Sequence, residues 1–157
     1  MPRCDHAAFR VADLDRSVAF YEHVLPARLV SRRQHADRWR TEIATLRALG
    51  PGGGPDGPAQ PGGREDPFTL VLLMPRRVAW ILRLFHALVP RQTRSHEHLG
   101  FACDTAEEID QRLAAARAEG ARIKNLPTTL DERGGRLLEV LDPDGNAVEW
   151  THGIVHD

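Results

Sequence analysis

The sequence predicts an α+β protein built from two copies of one unit, a strand, a helix and three further strands. Three features carry that reading. Asp5-His6-Ala7-Ala8-Phe9 returns as Glu97-His98-Leu99-Gly100-Phe101, an acid, a histidine and, three residues on, a phenylalanine. Each copy then passes from strand-like alternation into helical spacing. Short strand-like runs separated by turn residues follow both helices.

In DHAAFRVADLDRSVAFYEHVL, Ala7, Phe9 and Val11 alternate with His6, Ala8 and Arg10, which gives a strand with one apolar face. Asp13 is placed to cap a helix in which Leu14, Val18, Tyr21 and Leu25 recur at helical spacing, and Pro26 stops it. Residues 26–37 and 38–48 read as two strands, the second with Trp39, Thr41, Ile43, Thr45 and Arg47 on one side. Residues 51–67 are rich in Gly and Pro and read as a surface loop. Residues 68–74 form an apolar run of strand length. Residues 78–90 suit a short linking helix, with Val78, Ile81, Leu82, Phe85, Leu88 and Val89 on a wide apolar face. Its role is either to cover core or a subunit contact, or to line a pocket with Trp80, Phe85 or His86.

The second copy repeats the order. Leu99, Phe101 and Cys103 face one way and His98, Gly100 and Ala102 the other. Thr105 and Glu108 form a capping box, Ile109, Leu113 and Ala116 give the buried stripe, and Gly120 sits at the helix stop. Strands follow at 121–126, 136–141 and 146–151. The last is fed by a turn in which Asp142, Pro143 and Gly145 occupy the first, second and fourth positions of a type I turn. Beyond it, Val148 and Trp150 share one face, so Glu149 points the other way.

Composition narrows the function classes. The chain has 157 residues, 41% hydrophobic and 27% charged, enough for a core. Lys+Arg 21 against Asp+Glu 22 leaves a net charge of -1, which gives no basic footprint for nucleic acid. No apolar run is long enough to span a bilayer, and the first residues have no secretory apolar core. Cys4 and Cys103 form no CxxC pair, so a reduced, cytoplasmic protein is expected.

His6, His98 and Glu149 each lie on a strand, on the face opposite the bulky apolar residues. A single strand histidine is usually a hydrogen-bonded core residue, and a single strand glutamate is usually solvated. Three ligand residues at matching places of a duplicated unit point instead to a divalent ion. Two imidazoles and one carboxylate leave coordination positions open, as a catalytic site requires.

His6 with VADLDRSVAFYEHVL, His98-Leu99-Gly100-Phe101 and DPDGNAVEW resemble the vicinal oxygen chelate superfamily. That superfamily includes glyoxalase I, bleomycin-resistance proteins, fosfomycin-resistance thiol transferases, methylmalonyl-CoA epimerases and type I extradiol dioxygenases. The resemblance implies paired βαβββ modules forming a cup-shaped, partly open barrel of mixed sheet with helices outside. A first module at 1–76 (with the loop at 50–66), a linker helix at 77–91 and a second module at 92–157 would make one domain. It further implies one divalent ion, Fe2+, Zn2+, Mn2+ or Ni2+, held by His6, His98 and Glu149 and chelated by a small oxygenated substrate. In many single-chain members the modules pair across a homodimer, with His6 from one subunit and His98 and Glu149 from the other.

The chain departs from particular members. Glyoxalase I and the epimerases carry a fourth ligand, Glu or Gln, on the last strand of the first module, where FTLVLLM has neither. Extradiol dioxygenases place a tyrosine three residues before the Asp of DPxGN, and this chain has Glu139 there. The potassium-loop serines of the fosfomycin enzymes are not evident, and bleomycin-binding members lack the metal ligands. By the resemblance Glu139 faces the cavity, as a base or a fourth ligand; the alternative is an exposed edge-strand residue. Glu42 is a weaker candidate for the same role. His96 shares parity with His98, while His23, His35, His152 and His156 read as surface residues. The functions that remain are a metal-dependent enzyme, ring-cleaving dioxygenase-like or isomerase- or lyase-like, and a non-catalytic small-molecule (antibiotic) binding or resistance protein.

Overall fold

The computed structural model describes residues 6–25, 27–48, 68–81, 84, 98–129 and 135–154. The chain divides into two compact units, residues 1–88 and 89–157. The first holds β1 (His6–Arg10), α1 (Leu14–Val24), β2 (Ala27–Gln34), β3 (Thr41–Ala48) and β4 (Thr69–Pro75). The second repeats the series as β5 (His98–Ala102), α2 (Ala106–Ala118), β6 (Arg122–Thr129), β7 (Arg136–Leu141) and β8 (Ala147–His152). Each unit is one mixed four-stranded sheet, ordered β1-β4-β3-β2 and β5-β8-β7-β6. The expected α+β duplication is therefore present strand for strand. Among the described residues no helix is long and apolar enough to cross a membrane.

Local chemistry explains the helices. Asp13 caps α1, its carboxylate accepting the Arg16 N–H at 3.2 Å. Leu14, Val18, Tyr21 and Val24 are buried, and Tyr21 stacks on Phe9 at 6.3 Å between ring centroids. Thr105 caps α2 by accepting the Glu108 N–H at 3.3 Å, while Glu108 accepts the Asp104 N–H at 3.2 Å. Gly120, with φ at +64°, takes the left-handed conformation that ends the helix. Helix α1 packs on β2, β3 and β4, and α2 on β6, β7 and β8. In the second unit Val148 and Trp150 pair with Val140 and Leu138, all four buried, and Trp150 stacks with Phe101 at 6.4 Å.

One expectation changes. Trp39 is not in a strand: β2 ends at Gln34 and β3 begins only at Thr41. Asp37 gathers this connection, accepting the N–H groups of Trp39 and Thr41 at 3.2 and 2.9 Å and the Thr41 hydroxyl at 2.7 Å. Those bonds, the Thr41 hydroxyl foremost, hold the Asp37 carboxyl below the usual carboxylate range. Arg40 follows with φ at 50°. The linking helix expected at 78–90 is described only in part: residues 79–81 and 84 are helical, with Trp80, Ile81 and Leu84 exposed. Phe85 and His86, like Cys4, the 51–67 stretch, His96 and His156, lie outside the described residues.

The turn into β8 is the most heavily bonded local feature of the second unit. Gly145 N–H reaches the Asp142 carbonyl at 3.0 Å, the bond expected of the type I turn, and Gly145 has φ at 92°. The Asp142 side chain, 1% exposed, accepts the N–H groups of Asp144 and Asn146 at 2.9 and 2.7 Å and the Asn146 side-chain amide at 2.8 Å. Replacing it with alanine strands buried donors. Asp142→Ala is expected to lose about 3 kcal/mol of stability. Thermal unfolding followed by circular dichroism should then show a drop in Tm of roughly 6–12 °C, with Asp142→Asn in between.

Candidate metal centre

The two faces of the second sheet are chemically different. Leu99, Phe101, Leu138, Val140, Val148 and Trp150 turn toward α2. Side chains alternate along a strand, so His98, Gly100, Glu139 and Glu149 share the other face. Cross-strand register aligns Gly100 with Glu149, Glu149 with Glu139, and Glu139 with Asn125. This polar row runs across all four strands of the sheet.

His98 and Glu149 meet at its β5–β8 end, with His98 Nε2 3.6 Å from Glu149 Oε1. The Glu149 side chain is 11% exposed and the His98 side chain 43%. A buried carboxylate facing a half-open imidazole suits a cation approached from one side. Two donors bonded to one tetrahedral ion at about 2.1 Å stand roughly 3.4 Å apart, so this pair fits a shared ion without rearrangement. Gly100 lies between them. A Cβ there would sit 3.8 Å from both Glu149 Oε1 and His98 Cδ2, so an alanine would fit.

His6 takes the place of His98 in the first unit. It opens β1, exposed, opposite Thr69, as His98 opens β5 opposite Ala147. Among the described residues no group of three or more His, Cys, Asp or Glu converges as a metal cluster. The counterpart of Glu149 is Val71, which pairs with Ala8 as Glu149 pairs with Gly100. At these matched positions the first unit offers a histidine alone where the second offers a histidine and a carboxylate.

Glu139 is not an exposed edge-strand residue. Strand β7 is internal, and Glu139 is 5% exposed on the same face as Glu149. Both its oxygens are engaged: Lys124 Nζ lies 2.7 Å from Oε1 and Asn125 Nδ2 donates to Oε2 at 2.8 Å. A carboxylate so held is poorly placed to be a base or a further ligand. Glu42 fails differently. It pairs with Met74 on the helix side of the first sheet, away from His6, and Arg76 lies 3.1 Å from it. His152, expected at the surface, is partly buried, with Nδ1 3.1 Å from the Cys103 carbonyl.

Lys124 and Asn125 escaped the sequence reading, because their approach to Glu139 depends on an irregular register that periodicity does not reveal. The same holds for a cleft of about 500 Å³ in the first unit, lined by Arg10, His35, Arg38, Trp39, Leu73 and Pro75 among others. The turn gathered by Asp37 swings Trp39 to the cleft, where the Arg38 guanidinium stands 4.4 Å from its ring. Arg10 shares the face of His6, four residues along β1 and about 13 Å away.

The family model of the glyoxalase/bleomycin resistance protein/dioxygenase superfamily matches residues 3–150. This chain belongs to that superfamily. An uncharacterized protein of Pseudomonas aeruginosa is 27% identical over 155 residues, spanning 97% of this chain and 89% of its own. The glyoxylase/bleomycin resistance protein/dioxygenase domain of Frankia sp. EAN1pec has the same fold, with a TM-score of 0.71 and 19% identity, covering 100% of this chain and 96% of that one. A variant of the fosfomycin resistance protein FosX of Listeria monocytogenes, solved with Mn(II) and 1S,2S-dihydroxypropylphosphonic acid, matches with a TM-score of 0.65 and 15% identity. It covers 99% of this chain and 95% of that one. At these identities the structural likeness speaks for the fold.

Cys103 lies just past β5 and is half-buried. Burial, followed by the negative charge of Glu108, pushes its thiol up to about 11 from an ordinary value of 9.0. The thiolate fraction is therefore about 100-fold below that of an unperturbed cysteine. Iodoacetamide labelling of the Cys103 peptide at pH 8, followed by mass spectrometry, should be slower in the native chain than in urea by at least that factor.

Proposed function

We propose that this chain is an enzyme using one divalent ion on a small substrate with neighbouring oxygens. The ion would be held by His98 and Glu149 of the second module and by His6 of a first module, of this chain or of a second copy. The observation that carries the reading is the His98–Glu149 pair, 3.6 Å apart on the face turned from the helix. The duplication supports the third ligand, because His6 opens β1 in the register in which His98 opens β5.

The residues divide the work. Glu149 supplies the negative charge that holds a cation in a partly buried place, and His98 a neutral nitrogen. The ion, when bound, supplies Lewis acidity and orients substrate oxygens. Val71 in the place corresponding to Glu149 leaves that site with a single ligand carboxylate. That favours polarising a bound substrate for attack over shuttling a proton between two flanking carboxylates, as an isomerase of this family would. The Arg10 and Trp39 cleft suits a substrate carrying an anionic group beside an apolar one.

Metal analysis of protein purified without chelators tests this reading. About one divalent ion per complete site is expected. Glu149→Ala and His98→Ala should each weaken binding by more than the roughly 10–100-fold that loss of an outer partner costs. Iron would direct the search to ring cleavage under air, and zinc, manganese or nickel to addition or elimination chemistry. No saturable binding of any of these ions would replace the enzyme with a binding protein of the same fold.

A further inference from the structure

The polar row of the second sheet contains more charge than a metal ligand set needs. Glu139 and Glu149 stand directly opposite on β7 and β8, on one face, both buried. Two carboxylates so placed would both turn toward a cation. A register shift in β6 engages one of them. Along β7 the register moves one residue, from Val140 to Glu139, while along β6 it moves two, from Ile123 to Asn125. Lys124 is the extra residue of a β-bulge, a feature that re-aims side chains beside functional sites. The bulge brings Lys124 and its neighbour Asn125 to the two oxygens of one carboxylate, at 2.7 and 2.8 Å.

The first unit is an internal control. Its β2 carries the same irregularity, with Val30 extra between Leu29 and Ser31, and the corresponding row reads Ser31, Thr45, Val71, Ala8. The fold therefore makes this bulge with no charge in it. The pair is half-open, with the Lys124 side chain 37% exposed, and partly exposed ion pairs contribute little to stability. The Lys124–Glu139 pair is thus not required by the module, and it occurs in the unit that has the carboxylate ligand.

We propose that Lys124 is a positioning residue that keeps Glu139 out of the metal's ligand set. Glu149 then remains the one carboxylate this module gives the ion, and a coordination position stays open for substrate oxygens. Lys124 also lowers the site's affinity for the ion through its positive charge. This inference rests on the metal-enzyme reading above.

The test is Mn2+ titration of the full-length chain, with free ion counted by electron paramagnetic resonance and calorimetry alongside. Lys124→Met should tighten Mn2+ binding about tenfold or more, because it removes a cation and releases Glu139. Lys124→Arg should stay within about threefold of the parent. The double variant Lys124→Met/Glu139→Gln should lose the gain. A merely structural lysine predicts the opposite, weaker binding in Lys124→Met. If that variant does not fold, Lys124→Gln removes the charge while keeping a donor for Glu139, and should still tighten binding several-fold. Unchanged or weaker binding in the folded charge-removing variant overturns the role of Lys124 and leaves the metal site standing. Absence of Glu149-dependent Mn2+ binding in the parent chain removes both.

Discussion

The register of β8 against its two neighbours is the constraint on which the second unit depends. Side chains alternate with a period of two, so a slip of one residue would move Glu149 to the helix side and Trp150 to the open face. Asp142 opposes that slip. Its buried side chain binds the backbone of Asp144 and Asn146, while its own N–H donates to the Asn146 carbonyl at 2.8 Å. Leu141 is thereby set opposite Ala147, and Glu139 falls opposite Glu149 two residues on. The parallel partner β5 fixes the other side, bringing His98 within reach of the same carboxylate.

Duplication makes the functional content of each unit visible by difference. Both sheets have the same order, the same parallel pair and a bulge in the same strand. What the fold demands is therefore common to both: apolar side chains under the helix, a helix cap, and a histidine-bearing first strand that tolerates either role. What differs is the row beside the bulge. Val71 and Thr45 occupy one copy, Glu149 and Glu139 the other. Membership of the superfamily explains the common part and leaves the reaction open, since chemistry in such folds lies in the grafted site.

Most of the architecture was legible because it follows from local rules. Asp13 and Thr105 signal caps, Gly120 a helix stop, and the alternation around Phe9, Phe101 and Trp150 the buried faces. The face carried by His98 and Glu149 was legible for the same reason. Three things were not. Trp39 looked like a strand residue, because only the side chain of Asp37 shows that a turn extends to Arg40. Glu42 had the right chemistry, but its parity relative to His6 depends on how β3 aligns with β4. Glu139 read either as a cavity-facing base or fourth ligand or as an exposed edge-strand residue, since nothing in the spacing of residues 121–126 reveals a bulge at Lys124.

The energetics of that bulge explain why two acids can share a face. Cross-strand partners hold their Cβ atoms about 5 Å apart, and like charges directly opposite one another destabilise a sheet. Lys124 offsets the repulsion at Glu139, and the two side-chain donors satisfy oxygens that would otherwise be buried without partners. At the other end, the neighbour of Glu149 is the His98 imidazole, 3.6 Å away. A divalent ion between His98 and Glu149 would complete the compensation there. With the proposed ion bound, the row would balance two acids against one fixed cation and one exchangeable one.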